Sequence, residues 1–114
     1  MHEGSFARAI ILTASKEAEK AGIKEIKRIK VAIGEIHAVV DEFLITVFDM
    51  MKGEYGLEKA SLEVEKIPLK VRCTSCGGIY SPEEPIFLCP YCGAMGGEVL
   101  QGEELHIISI EGEK

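Results

Sequence analysis

Four cysteines, Cys73, Cys76, Cys89 and Cys92, stand in two Cys-x-x-Cys pairs separated by twelve residues. A two-residue gap lets a tight turn aim both sulfurs of a pair at one ion. Gly77 and Gly93 follow the pairs, where the chain must turn back with its amides near the sulfurs. The surrounding segment, from about Arg72 to Gly97, is rich in Gly and Pro and poor in long apolar periodicity. So short a segment has almost no core, and needs a metal to hold it. Four thiolates fill a tetrahedral shell and leave no open position, which is the arrangement of structural rather than catalytic zinc. A single iron accepts the same four ligands, and ligand softness alone does not separate the two metals.

The rest of the chain is patterned. Ala7, Ile11, Ala14, Ala18 and Ala21 recur at helical spacing, with Phe6 and Ile10 widening the stripe and Gly22 as a stop. Ile29, Val31 and Ile33 alternate with Arg28, Lys30 and Ala32, which predicts a strand ending near Gly34. Phe43, Leu44, Val47, Phe48 and Met51 predict one face of a second helix, with Asp41 and Glu42 at its start and Gly53 as its close. Leu62 and Val64 alternate with Glu63 and Glu65 in a strand ending near Pro68, and Leu105 to Ile110 reads as a last strand. The expected fold is α/β: two helices on a three-stranded mixed sheet, with a zinc-ribbon-like knuckle mini-domain inserted between the second and third strands. Residues 1–68 and 103–114 would form the α/β domain and residues 69–102 the zinc-binding domain. Pro68 to Arg72 and Gly96 to Gly102 would serve as a pivot.

Composition narrows the function. The chain has 114 residues, a net charge of −6, no tryptophan and 6% aromatic residues. Phosphate contacts need a basic footprint and base stacking needs aromatic rings, so a nucleic-acid partner is not expected. The cluster from Lys24 to Lys30 reads as the solvated side of a strand. No apolar run approaches the roughly 20 residues that span a bilayer. No basic stretch leads into an apolar one at the start, so no signal peptide is expected and a cytoplasmic location is. In a reducing cytoplasm paired cysteines point to metal rather than disulfides. No Ser–His–Asp set, phosphate loop or open metal shell is visible, and Glu35, Asp41 and Glu42 read as helix-start acids. The chain is not expected to be an enzyme.

A histidine in second place is ordinarily a solvated tail, yet the chemistry of Met1-His2-Glu3 is specific. The Met1 amine, the His2 amide nitrogen and the His2 imidazole can close successive chelate rings on one ion, and the Glu3 amide nitrogen can replace or supplement one of them. Nitrogen donors in a plane suit nickel(II) or copper(II).

Met1-His2-Glu3 followed by Ser5, an amphipathic helix, a strand ending Ile33-Gly34-Glu35, a second helix and two Cys-x-x-Cys knuckles together resemble the HypA family. These are nickel metallochaperones for nickel–iron hydrogenase maturation, and the resemblance covers essentially the whole chain. It implies that His2 is the essential nickel ligand, aided by Glu3, Met1 and nearby backbone nitrogens. It also implies that Cys73, Cys76, Cys89 and Cys92 hold structural zinc, that a HypB-type GTPase is the partner and that the hydrogenase large subunit is the client. Some archaeal relatives carry an additional histidine ligand in a long insertion between the knuckles. The spacer of this chain has no histidine. His37 reads as a turn histidine and His106 as a structural or solvent-facing one. A second function fits the knuckles alone: a zinc-ribbon interaction adaptor that transports no metal. Ile79, Tyr80 and Pro82 also look somewhat like rubredoxin, but rubredoxins place their knuckles further apart and outside a helix–strand domain.

Overall fold

The structure is a computed structural model that describes residues 3–83 and 86–114. Helix α1 spans Glu3–Ala21 and turns Ala7, Ile10, Ile11, Ala14 and Ala18 inward. Its end is a double hydrogen bond: the amide of Ile23 reaches the carbonyl of Ala18 at 2.8 Å, and that of Gly22 reaches Glu19 at 3.2 Å. These bonds satisfy carbonyls that a helix end otherwise leaves without partners. Strand β1 follows over Glu25–Gly34, then a single 3-10 turn over Glu35–His37.

Helix α2 spans Asp41–Met51 and buries Leu44 and Phe48. Phe43, expected on the same face, is 62% exposed. The 43/47 and 44/48 rows lie about 100° apart on a helix, and only the second reaches the core. Nor does the helix close at Gly53. It tightens into a 3-10 turn over Lys52–Tyr55 and stops at Gly56, whose φ is +77°. Strands β2 (Ser61–Ile67) and β6 (Leu105–Glu113) complete a three-stranded sheet in the order β2-β1-β6.

Contacts across the sheet give its directions. Glu25 meets Lys59, the Lys27 carbonyl accepts from Ser61, and Arg28 meets Glu63, so numbers rise together and β2 runs parallel to β1. Lys24 bonds Glu113 while Gly34 bonds Glu104, so β6 runs antiparallel to β1. A parallel neighbour needs a crossover, and α2 lies within it. Two helices and a mixed three-stranded sheet are therefore as expected.

A second sheet was not legible beforehand. Strands β3 (Lys70–Arg72), β4 (Ile79–Tyr80) and β5 (Glu98–Gln101) pair antiparallel in the order β4-β3-β5. Val71 faces both Tyr80 and Val99 across this sheet. The two stretches named as a pivot are bonded to each other, through β3–β5 pairing and a 2.9 Å bond from Gln101 Nε2 to the Pro68 carbonyl.

The chain packs as two compact units. One comprises Met1–Ala32, Val39–Glu65 and His106–Lys114; the other comprises Ile33–Ala38 and Lys66–Leu105. The first buries Ile11, Ile29, Val31, Leu44 and Phe48 completely or nearly so. The second has a small core of Leu69, Val71, Cys73, Tyr80 and Cys89, with Ile36, Phe87, Ala94 and Val99 against it. Within that second unit Gly34 lies against the Gly102 carbonyl, leaving no room for a Cβ. There the Leu69 amide donates to Glu35 Oε1 at 2.7 Å, and the Ile36 amide donates to the Gly102 carbonyl at 3.0 Å. Among the described residues no helix is long and apolar enough to cross a membrane.

Candidate metal centre

The two knuckles are built alike. In the first, the Gly77 amide donates to the Cys73 carbonyl at 2.9 Å and the Cys73 amide to the Gly78 carbonyl at 2.8 Å. In the second, Gly93 donates to Cys89 at 2.9 Å and Cys89 to Ala94 at 2.9 Å. Closing each turn requires a left-handed residue, and Gly77 and Gly93 supply it with φ of +77° and +79°. The turns point amides at sulfur: Ser75 N–H to Cys73 Sγ, Gly78 N–H to Cys76 Sγ and Tyr91 N–H to Cys89 Sγ, each at 3.4 Å.

These turns bring all four sulfurs within 4.8 Å of one another. Cys73 and Cys92 lie 3.6 Å apart, and Cys76 and Cys89 lie 3.7 Å apart. A disulfide would need about 2.05 Å. A tetrahedral ion with metal–sulfur bonds of about 2.3 Å has sulfur–sulfur edges of about 3.8 Å. The donor set therefore fits a tetrahedral, thiophilic dication. Cys73 and Cys89 are buried while Cys76 and Cys92 are exposed, so the centre sits at the surface of its unit.

The protonation states show why a cation belongs there. The backbone amides of Cys76 and Ser75 favour the Cys73 thiolate and bring its pKa down to about 6. At Cys92 the Ala94 amide pulls the same way, but the Cys73 sulfur, burial, and the Cys89 and Cys76 sulfurs outweigh it and push the pKa up to about 12. Sulfurs this close do not all ionise without a positive charge among them, so binding a metal releases protons. Tyr80 lies in the same core. Burial first, then the charge of the cysteine sulfurs, raises its pKa. Its hydroxyl is buried with no hydrogen-bond partner among the described residues.

Of the expected nickel ligands, Met1 and His2 lie outside the described residues. Glu3 opens α1, and its carboxylate accepts the Val40 amide at 3.3 Å. Its own backbone amide and then that of Val40 lower its pKa. Val40 immediately precedes α2, so a bond between residues far apart in sequence ties Glu3 to the start of that helix. His37 Nε2 donates to the Glu103 carbonyl at 3.0 Å, and His106 is exposed on β6. Sequence reading missed the roles of Glu35, Val40 and Tyr80. No local pattern marks them, because each depends on what the fold sets beside it.

Comparison with known proteins extends the picture. The family described as hydrogenase/urease nickel incorporation, metallochaperone, hypA matches residues 1–112. The hydrogenase maturation factor HypA of Roseiflexus sp. is 33% identical over 112 residues, covering 97% of this chain and 91% of that protein. The factor of the same name from Lawsonia intracellularis is 36% identical over 116 residues, covering 97% and 98%. The solution structure of the Ni metallochaperone HypA from Helicobacter pylori has a TM-score of 0.70 at 24% identity, over 99% of this chain and 98% of that one. At that identity the last likeness speaks for the fold.

Proposed function

The chain belongs to the HypA family of nickel-incorporation metallochaperones, and on that premise we propose that it binds nickel(II) at its N-terminus and hands it over during hydrogenase maturation. The match over residues 1–112 carries this reading, because it takes in both Met1-His2-Glu3 and the four cysteines. Nickel is the cargo. His2 supplies the imidazole, with Glu3, Met1 and backbone nitrogens completing the donors. Planar nitrogen donors suit nickel(II). They must be deprotonated, so affinity falls as pH falls.

Cys73, Cys76, Cys89 and Cys92 hold zinc, which cross-links the knuckles and, with its shell closed, supplies no reaction. In this reading residues 69–102 carry zinc, and residues 1–68 and 103–114 carry nickel. The protein is not an enzyme and works in the cytoplasm. Its partners are a HypB-type GTPase and the hydrogenase large subunit.

The test is metal content of the tag-free protein beside His2→Ala. The wild type is expected to hold nickel as well as zinc, with a weak visible absorption band from a planar nickel centre. His2→Ala is expected to lose the nickel and that band while keeping its zinc and its circular dichroism. Full nickel affinity in His2→Ala would refute the assignment. One observation favours the adaptor alternative: Ile86, Leu88, Tyr91 and Met95 of the cysteine unit are 53–72% exposed, as an interaction module would present them. That alternative expects the tag-free wild type to bind no nickel at all.

A further inference from the structure

The four cysteines are not equivalent. Cys76 and Cys92 are exposed, whereas Cys73 and Cys89 are buried. Each close sulfur contact joins one of each kind. Cys92 lies 3.6 Å from Cys73, and Cys76 lies 3.7 Å from Cys89. Both contacts run between the knuckles rather than within one. An accessible thiolate with a second sulfur beside it is the arrangement that reacts reversibly with oxidants: the first sulfur is oxidised and the second resolves it into a disulfide. Coordination to a dication keeps such sulfurs deprotonated, and the thiolate is the nucleophilic form.

The surrounding framework allows each pair to close. A sulfur–sulfur bond of about 2.05 Å requires a pair to draw together by roughly 1.6 Å. The bonds that close each knuckle run between backbone atoms, Gly77 and Gly78 with Cys73, and Gly93 and Ala94 with Cys89, so none of them uses a sulfur. A further contact crosses from one knuckle to the other. The Tyr91 hydroxyl donates to the Ile79 carbonyl at 3.0 Å, and the Tyr91 ring lies against Gly78. These bonds hold the knuckles opposite each other while the sulfurs change partners.

We propose that the metal centre is also a site of reversible oxidation by peroxides, in which Cys92 and Cys76 are attacked and Cys73 and Cys89 resolve them, forming the disulfides Cys73–Cys92 and Cys76–Cys89 and freeing the zinc. The proposal rests on the reading that the four cysteines hold zinc. In each round the exposed thiolate attacks the peroxide O–O bond, takes one oxygen as a sulfenic acid and releases hydroxide. The buried thiolate then attacks that sulfur, forming the S–S bond and expelling a second hydroxide. Two thiolates thus give two electrons to one peroxide, and two protons from solvent turn the hydroxides into water. A second round oxidises the other pair. The thiolate is the metal ligand, so a centre whose sulfurs are all in disulfides no longer holds its cation. Both bridges join one knuckle to the other, so they take over the cross-link that zinc supplied. A dithiol reductant reverses both bonds by exchange and restores the site.

The experiment treats the zinc-loaded, tag-free protein with hydrogen peroxide beside a chromogenic zinc indicator. Zinc content before treatment checks the reading of the site by itself; a sample without zinc refutes that reading, and the proposal with it. Peroxide is expected to release all of the zinc as the four free thiols disappear. Dithiothreitol and added zinc are expected to restore both. Remaining thiols are then alkylated and the chain is cleaved after glutamate. Glu83 stands between the knuckles in sequence, so cleavage parts Cys73 and Cys76 from Cys89 and Cys92. The two peptides are expected to stay joined until reduced, and fragmentation in the mass spectrometer to place the bonds at Cys73–Cys92 and Cys76–Cys89. Peptides that separate unreduced, each closed on itself, overturn the proposal. So do the bonds Cys73–Cys89 and Cys76–Cys92, or sulfinic and sulfonic acids in place of disulfides. Zinc that stays bound while Met50 and Met95, 76% and 72% exposed, become sulfoxides overturns it as well, because the oxidant has then reached the surface and spared the thiolates.

Discussion

The helix–sheet unit and the cysteine unit solve the problem of staying folded by different means. The first removes Ile11, Ile29, Leu44 and Phe48 from water, and such burial is worth about 1.5–3 kcal/mol per large apolar side chain. The second has few large apolar residues to bury, and two members of its core, Cys73 and Cys89, are themselves candidate metal ligands. Its strands are short, with β4 only two residues long. The comparison teaches that the same chain relies on solvent exclusion in one part and on a coordinate cross-link in the other. Losing either support should leave the other unit standing.

Removing the metal should give the largest effect. Cys89→Ser, or a strong chelator, should unfold the cysteine unit, because structural zinc contributes about 10–16 kcal/mol of apparent binding energy in small zinc-dependent folds. The amide resonances of residues 66–105 should collapse toward random-coil positions while those of α1 and α2 persist. A single transition that melts both units together would break the comparison.

The converse substitution is Phe48→Ala. Phe48 is fully buried, and truncating such a residue costs about 3–5 kcal/mol. The thermal midpoint of the helical signal should drop by many degrees with zinc content unchanged. Loss of zinc in this variant would mean that the two supports are coupled.

The smallest effect sharpens the comparison inside the cysteine unit. Tyr80 buries a hydroxyl that no hydrogen bond satisfies among the described residues. Tyr80→Phe should therefore be neutral or stabilising by about 1 kcal/mol, against the usual direction of a core change. Resistance to chelation, followed by metal release, measures it. Marked destabilisation would show that the hydroxyl has a partner in solution.

Much of this was open to a reader of the sequence, for reasons that differ by element. Helix α1 could be placed because an alanine and isoleucine stripe repeats at helical spacing and Gly22 ends it. The four thiolates could be grouped because Cys-x-x-Cys is a local geometry that needs only a turn. Helix α2 was harder. Its apolar residues fill two adjacent rows, and periodicity does not say which row faces inward, so Phe43 was misplaced. The sheet β4-β3-β5 escaped notice because strands of two to four residues carry too little alternation to stand above a Gly-rich background. Nor does any pattern in β6 announce that β1 is its only strand neighbour among the described residues.

What the sequence determined by itself, then, is what depends on neighbours along the chain: the helical stripes, the longer strands, and the pairs of thiolates with the glycines that turn them. Only the tertiary structure decided which distant groups meet. It set Glu35 against the Leu69 amide and Glu3 against the Val40 amide, and it drew Ile33–Ala38 into the cysteine unit. A hydrogen bond between residues 34 or 37 positions apart leaves no periodic trace in either segment. It forms because folding sets the two groups side by side, and where the amide is taken out of water, as at buried Leu69, it needs an acceptor wherever the chain provides one.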